Sequence, residues 1–364
     1  MSRQAGVLDV LVVGAGQAGL GTAHHLSRAG VRDVLVVEAD ETIGQVWRDR
    51  WESLRLFTPR RFSSLPGLPF PEGPGATPSR LEMADYLAGY AARCGVEVRA
   101  SAPVRRLSVD PAGFAAEIPG GVVRARHVVL ATGAYRSPRV PAAARDLDGS
   151  VHQLHSSSYR VPADLPDGPV LVVGGGNSAA QLALELAEHQ EVTVAAPVVP
   201  RFLPERVLGV SIYWWLLLSG VLNAGATTPV GRFLHERHEA VLGRQLRRAI
   251  RSGAVRLIAS PVVAADGPRV RLADGTALRP RTVLWCTGFA PDTGWIDVPG
   301  ALVDDGAPRH ERGASPVAGL HWMGLPWQTR VNSALIDGVD RDARRTARRI
   351  SAALRADAAV RRAG

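Results

Sequence analysis

A strand that runs into Gly-x-Gly-x-x-Gly and leaves as a helix restricts a chain to few folds. Here the mostly apolar run Val7–Val13 enters Gly14-Ala15-Gly16-Gln17-Ala18-Gly19, and a helical pattern follows with Leu20, Ala23 and Leu26 on one face. A second apolar run, Val34–Val37, ends in Glu38. Each residue type has a physical task. Gly14 permits a tight turn off the strand, Gly16 lets a pyrophosphate approach the backbone, and Gly19 lets the helix pack close to the strands. The helix start offers free N–H groups and the positive end of a dipole to phosphate. Glu38 stands where a carboxylate accepts hydrogen bonds from an adenosine ribose. The stretch predicts a dinucleotide-binding βαβ unit.

The pattern recurs. Pro169–Val173 is an apolar run, Gly174-Gly175-Gly176-Asn177-Ser178-Ala179 is the turn with Ala in the third position, Gln181–His189 reads as a helix, and Val192–Val194 is the next strand. Two such loops imply two nucleotide cofactors. The second unit ends in Ala195-Ala196-Pro197, without the acid that holds a ribose 2′-hydroxyl. That favours NADP over NAD, with Arg201 and Arg206 as candidate partners of the 2′-phosphate. Two further apolar runs end in Thr-Gly, at Ala131-Thr132-Gly133 and Cys286-Thr287-Gly288, and both are expected at the carboxyl edge of a sheet, beside a nucleotide.

Between these landmarks the sequence predicts a loop over Pro59–Pro78, a helix over Arg80–Ala92 and a meander of short strands at 96–98, 104–107, 114–118 and 122–123. Arg232–Arg251 reads as one charged helix and Ser333–Leu354 as a closing helix whose start could point at a flavin ring. Tyr213, Trp214 and Trp215 lie in an apolar segment, Val207–Leu222, too short to span a bilayer and suited to lining a cavity or a subunit contact.

The 364 residues suffice for two domains, and a content of 46% hydrophobic and 21% charged residues is that of a globular protein. The net charge of +9 comes from arginines spread along the chain among acids, which argues against a nucleic-acid surface. Cys94 and Cys286 form no C-x-x-C, which argues against a dithiol redox centre or a zinc site. No basic region followed by an apolar core precedes Val7, and a cytoplasmic setting is expected. No metal site is expected.

Several motifs carry a resemblance over nearly the whole chain. They are the two glycine loops, Gly44-x-x-Trp47, Ala131-Thr-Gly133 followed by Pro138 and Pro141, His155-Ser-Ser-Ser-Tyr159, Cys286-Thr-Gly288-Phe-x-Pro-Asp292 and Leu325-Pro-Trp-Gln-Thr-Arg330-x-Asn332-Ser-Ala-Leu335. With them the chain resembles the class B flavin monooxygenases, and most of all their short bacterial branch labelled CzcO-like. In the family fingerprint F-x-G-x-x-x-H-x-x-x-F/Y, His155 and Tyr159 are in register, while Gly149 and Val151 replace the Phe and Gly, and Gln45 replaces a glycine beside Gly44.

The resemblance implies an α/β fold of glutathione-reductase-like architecture. An FAD domain, 1–145 plus 289–364, would carry an inserted NAD(P)H domain, 146–288. It implies that NADPH reduces FAD, that the reduced flavin captures O2 as a C4a-(hydro)peroxide, and that this oxygenates a small apolar or aromatic substrate. Beyond the loops, Gln45, Val46, Trp47, Leu56, Thr58 and Val104 are the expected flavin contacts. Thr58, His155, Tyr159 and Asn332 are the candidate catalytic residues, Thr58 and Asn332 through hydrogen bonds near the flavin edge or the NADP⁺ amide, His155 and Tyr159 at the joint between domains. A homodimer is compatible with this reading. The alternative is an NAD(P)H-dependent flavoprotein reductase that inserts no oxygen.

Overall fold

The computed structural model describes residues 6–237 and 240–363. The leader reading rests partly on residues 1–5, outside that range. The first half is a parallel sheet of β1 (Leu8–Val13), β2 (Val34–Val37), β3 (Glu97–Arg99), β6 (Gly121–Leu130) and β20 (Leu320–Trp322), in the order β20-β6-β1-β2-β3. The helix α1 (Gln17–Arg28) connects β1 to β2 and packs against the C-terminal helix α8 (Val339–Ala363). From Val10 onward β1 is apolar, as is all of β2, because both faces of the sheet are covered there.

The long strand β6 does two jobs. Its first residues pair antiparallel with β5 (Gly113–Ile118), which pairs with β4 (Arg106–Asp110) and through it β19 (Ile296–Asp297). Its last residues join the parallel core, with Val128–Leu130 against β20. The sequence reading split β6 in two, at 122–123 and 127–130. The strand is continuous because Val122 and Arg124 face solvent in the meander while Ala125, His127 and the residues after Val128 enter the core.

The second half repeats the arrangement. Strands β7 (His152–His155), β8 (Val170–Val173), β9 (Val192–Ala195), β14 (Val255–Ile258) and β18 (Thr282–Trp285) form a parallel sheet in the order β7-β18-β8-β9-β14. The helix α4 (Asn177–Leu186) connects β8 to β9 and packs against α7 (Gln245–Ser252). A ribbon of β15 (Val262–Asp266), β16 (Arg269–Leu272) and β17 (Ala277–Leu278) covers the other face. Ala144, Leu147 and Val151, just before β7, already belong to this core.

The chain crosses between the halves twice, and the crossings hold each other. The Arg139 amide donates to the Gly288 carbonyl (2.9 Å), Ala290 donates to Ser137 (2.8 Å), and Pro138 lies opposite Phe289.

Two helix expectations are corrected. Arg232–Arg251 is not one helix. It contains α6 (Pro229–His235), the strand β13 (Val241–Leu242) and α7, with residues 238 and 239 outside the described range. Val241 turns inward and pairs with β10 (Phe202–Leu203), and Gly243 takes a left-handed turn (φ +95°). The closing helix starts at Val339, not Ser333. The Ser333 hydroxyl accepts the amides of Thr329 and Arg330, holding a turn, and Gly338 passes so close to the Asn332 carbonyl that a Cβ there would sit 1.7 Å from it.

The apolar segment folds as a hairpin of β11 (Arg206–Val207) and β12 (Val210–Ser211) leading into α5 (Ile212–Leu218). Tyr213 is buried against Phe62, while Leu208 and Leu218 face solvent. Among the described residues no helix is long and apolar enough to cross a membrane.

Candidate active site

The glycines of the two loops divide into those the protein itself requires and those it does not. Gly14 has φ +104°, and a Cβ there would lie 2.5 Å from the Ala131 carbonyl. A Cβ on Gly19 would lie 1.9 Å from the Gly14 carbonyl. Gly174 repeats Gly14, at φ +141° and 2.3 Å from the Cys286 carbonyl. Gly16 and Gly176 differ from these. Each is the N-cap of its helix, each has extended backbone that any residue can adopt, and a Cβ on either meets nothing within 4 Å. No side chain caps α1 or α4. Uncapped helix N-termini with open space over the N-cap glycine fit a dinucleotide pyrophosphate, which takes the free N–H groups and the favourable end of the dipole.

Glu38 closes the first unit. Its carboxylate accepts the Ala15 amide (2.8 Å) and those of Ala39 and Asp40 (2.8 and 3.2 Å), and Arg136 lies over it and over Asp40. The carboxylate is thereby fixed beside the glycine loop, where a ribose would meet it. The Ala102 amide donates to the Glu38 carbonyl, which brings the Ala102–Val104 segment alongside. Ala131 is held beside the loop by the hydrogen bond its amide donates to the Val13 carbonyl (2.9 Å), and Thr132 and Gly133 follow at the sheet edge. In the second half, Gly175 packs against Ala196 and Pro200, so the exposed Arg201 lies one residue beyond a loop contact. Ala179, in the place of Gly19, is buried.

Both loops open onto one cleft of about 130 Å³ between the halves. Of the predicted residues it brings together Gln17, Val46, Trp47, Leu56, Thr58, Asn177 and Ser178. Gly44 makes the α2 (Gln45–Arg48) contribution possible, because it turns left-handed (φ +86°) against the Ala84 carbonyl. Gln45 itself is tied to Thr42 and Asp49 on the surface side. Thr58 is buried, with its hydroxyl 3.4 Å from that of Tyr213.

Asn332 does not line the cleft. Its amide donates to Asp337 (2.8 Å), and the residues that reach the cleft from this segment are Ala334, Leu335 and Ile336, in the turn before α8. The helix start at Val339 therefore lies well beyond Ser333, the position the sequence suggested.

His155 and Tyr159 also lie outside the cleft lining. The His155 Nδ1 accepts the Ser157 amide (3.1 Å), so its Nε2 donates to the Gly288 carbonyl (3.0 Å), and Phe289 packs edge-on at 4.9 Å. Burial holds this imidazole below its usual pKa, against the bond to Gly288, and the charge of Arg50 adds to the depression. Tyr159 is fully buried and donates to Glu185 on α4 (3.2 Å). Burial and that carboxylate raise the phenol's pKa. Thr287 is fastened through its hydroxyl to the Arg139 carbonyl.

Among the cleft residues missed from sequence are Arg50, Trp51, Tyr135 and Gln181. Gln181 lies one turn beyond Asn177 on α4 and donates to the Arg55 carbonyl (3.1 Å), joining the halves. A charged residue just before a tryptophan, Arg50-Trp51, was the visible signal. Neither free cysteine lines the cleft; burial pushes the Cys286 thiol up to about 12, away from thiolate chemistry.

The sequence model of the pyridine nucleotide-disulphide oxidoreductase family matches residues 11–201. An oxidoreductase of Geobacillus kaustophilus described as CzcO-like is 39% identical over 337 residues, covering 93% of this chain and 96% of that one. The chain belongs to this family. It is an oxidoreductase of the class B flavin monooxygenase group. The flavin-containing monooxygenase of Stenotrophomonas maltophilia superposes with a TM-score of 0.80 at 29% identity, over 96% of this chain and 99% of that one. Indole-3-pyruvate monooxygenase YUCCA1 of Oryza sativa is 33% identical over 250 residues, 66% of this chain and 60% of that protein.

Proposed function

We propose that the protein uses NADPH and O2 to oxygenate a small apolar or aromatic molecule. The observation that carries this reading is the shared cleft, onto which both uncapped glycine cradles open and whose walls are largely apolar. In this reading residues 1–145 and 289–364 hold FAD and residues 146–288 hold NADP(H). Bound FAD supplies the redox chemistry: it takes two electrons from NADPH and activates O2 to transfer one oxygen atom.

The protein's part is binding, orientation and exclusion of water. The first loop, from Gly14 to Gly19, and Glu38 anchor the adenosine diphosphate end of FAD, with Val104 and Ala131–Gly133 beside them. Gly174, Gly176, Asn177, Ser178 and Ala179 take the NADP(H) pyrophosphate, and Arg201 the 2′-phosphate. Val46, Trp47, Trp51, Leu54 and Leu56 form an apolar wall that keeps water from the reacting atoms. Thr58, already hydrogen-bonded to Tyr213, offers the remaining capacity of its hydroxyl to the flavin edge or the nicotinamide amide. His155 holds the joint by its bond to Gly288, so its role is positioning. Asn332 positions the turn that carries Ala334–Ile336 into the cleft.

The test is a stopped-flow mixing of anaerobically reduced, FAD-loaded protein with O2 in the presence of NADP⁺. The expected result is a transient absorbing between the oxidised and reduced flavin bands, with O2 use stimulated by one member of a panel of sulfides, amines and ketones. Direct reoxidation with no transient, and no stimulation across the panel, assigns the protein to the flavoprotein reductases.

A further inference from the structure

Arg50 is a buried cation. Only 8% of its surface is exposed, and among the described residues no carboxylate pairs with it. Its guanidinium lies instead over the Tyr135 ring (4.4 Å) and near the Phe289 ring (5.1 Å), one from each crossing segment. The charge of another cation, Arg160, adds to burial in disfavouring the charged form of Arg50. Removing a guanidinium from water without a counter-charge is costly, and ring faces offset only part of that cost. Arg50 also lines the cleft. Beside it Trp47 and Trp51 line the same cleft, and each has a buried indole N–H with no acceptor. The polar groups of these three side chains can only donate, and at this part of the otherwise apolar wall they leave donors and a positive charge without a partner anion among the described residues.

We propose that Arg50, assisted by the indole N–H groups of Trp47 and Trp51, binds an anionic oxygen group, phosphate or carboxylate, presented by a ligand in the cleft. Two ligands can supply it: the pyrophosphate of the nicotinamide dinucleotide, or a carboxylate on the molecule to be oxygenated. The inference deepens the function proposed above by adding a charge requirement to the same cleft. Binding in the absence of O2 tests it without any oxygenation step.

The experiment uses FAD-loaded wild type and Arg50→Gln under anaerobic conditions, titrated with NADP⁺ and, separately, with phenylacetate and its neutral counterpart phenylacetamide. Binding is read from perturbation of the flavin spectrum, and flavin content per protein reports folding. Loss of one charge-assisted contact is expected to weaken the anion by roughly 10- to 100-fold. A weakened NADP⁺ Kd assigns the anion to the dinucleotide. An unchanged NADP⁺ Kd with weakened phenylacetate and unaffected phenylacetamide assigns it to the substrate. NADP⁺ affinity unchanged, with phenylacetate affinity unchanged or absent already from wild type, overturns the proposal.

If Arg50→Gln loses its flavin, Arg50→His carries the test. Its affinity for the responsive anion should fall relative to wild type as pH rises from 5.5 to 8 and the imidazole loses its charge. A pH profile parallel to that of wild type overturns the proposal. A purely structural Arg50 would not produce the pH-dependent difference.

Discussion

The two halves are built on one plan, bond for bond, around their loops. The Gly14 amide donates to Val37 and the Gly174 amide to Ala195; Ala131 donates to Val13 and Cys286 to Val173. After the second strand, Glu38 donates to Arg99 and Ala196 to Ile258, which makes Glu38 and Ala196 equivalent positions. The halves then part. The first ends in a carboxylate fixed against its loop, the second in a methyl group followed by Pro197 and, further on, Arg201. The first packs its loop helix against α8, the second against α7. The glycine turn is thus the shared part, and the halves differ at the residues just past the second strand, the position at which folds of this kind distinguish one nucleotide from another.

The largest effect should come from filling the cradles one at a time. Gly16→Val and Gly176→Val both place a side chain in open space on permissive backbone, so both proteins should fold with little loss of stability. Gly16→Val should be purified without flavin, whereas Gly176→Val should remain yellow yet be reduced by NADPH at least roughly 100-fold more slowly, since a side chain there meets the pyrophosphate. Flavin content and anaerobic reduction rates check this. A yellow Gly16→Val would break the assignment of the first half. Next in size is the ribose position. Wild type should oxidise NADPH faster than NADH, and Ala196→Glu, copying Glu38 into the second half, should reverse the preference by on the order of tenfold or more through repulsion of the 2′-phosphate. The ratio of kcat/KM for the two nucleotides is the measurement.

The cradles were legible because they are local. Strand, turn and helix each leave their mark within about a dozen residues, and the reason for every glycine is contained there. The cleft was half legible. Val46, Trp47, Leu56 and Thr58 were expected, but Arg50, Tyr135 and Gln181 meet only when α2, a crossing segment and α4 converge, and no spacing in sequence encodes that. The split of β6 and the early start of the closing helix failed for another reason. In each, a tertiary contact overrides the local pattern: pairing with β5 carries the exposed residues Val122 and Arg124 within a strand, and the Gly338–Asn332 approach delays a helix that composition would start earlier.

The edge strands sharpen the comparison at low pH. The strands β20 and β7 are equivalent, and each carries a buried histidine, His321 and His155. His155 has partners on both nitrogens, whereas both nitrogens of His321 are buried without one and its ring lies beside that of His127. Burial pushes the His321 pKa down to about 3. The unfolded chain therefore binds this proton at higher pH than the folded one. The corresponding stability is complete above the ordinary imidazole pKa of about 6.5 and falls as pH drops from there toward 3, by at most about 1.4 kcal/mol per pH unit. Urea unfolding at pH 7, 6, 5 and 4 should show this slope, and His321→Leu should reduce it. An unchanged slope in that variant would remove His321 from the account.

The smallest expected effect concerns Tyr159, which the sequence offered as a catalytic candidate. The structure makes it a buried strut of the second half, joined to α4 through Glu185, a helix face for which α1 uses α8 instead. Tyr159→Phe keeps the ring and removes one hydrogen bond to a carboxylate that Ser53 also contacts. The expected cost is about 1 kcal/mol of stability, with kcat and NADPH affinity within roughly threefold of wild type. A fall in kcat of a hundredfold with normal stability would show that the hydroxyl acts in the chemistry, and the second half would then contribute a reacting group as well as a nucleotide.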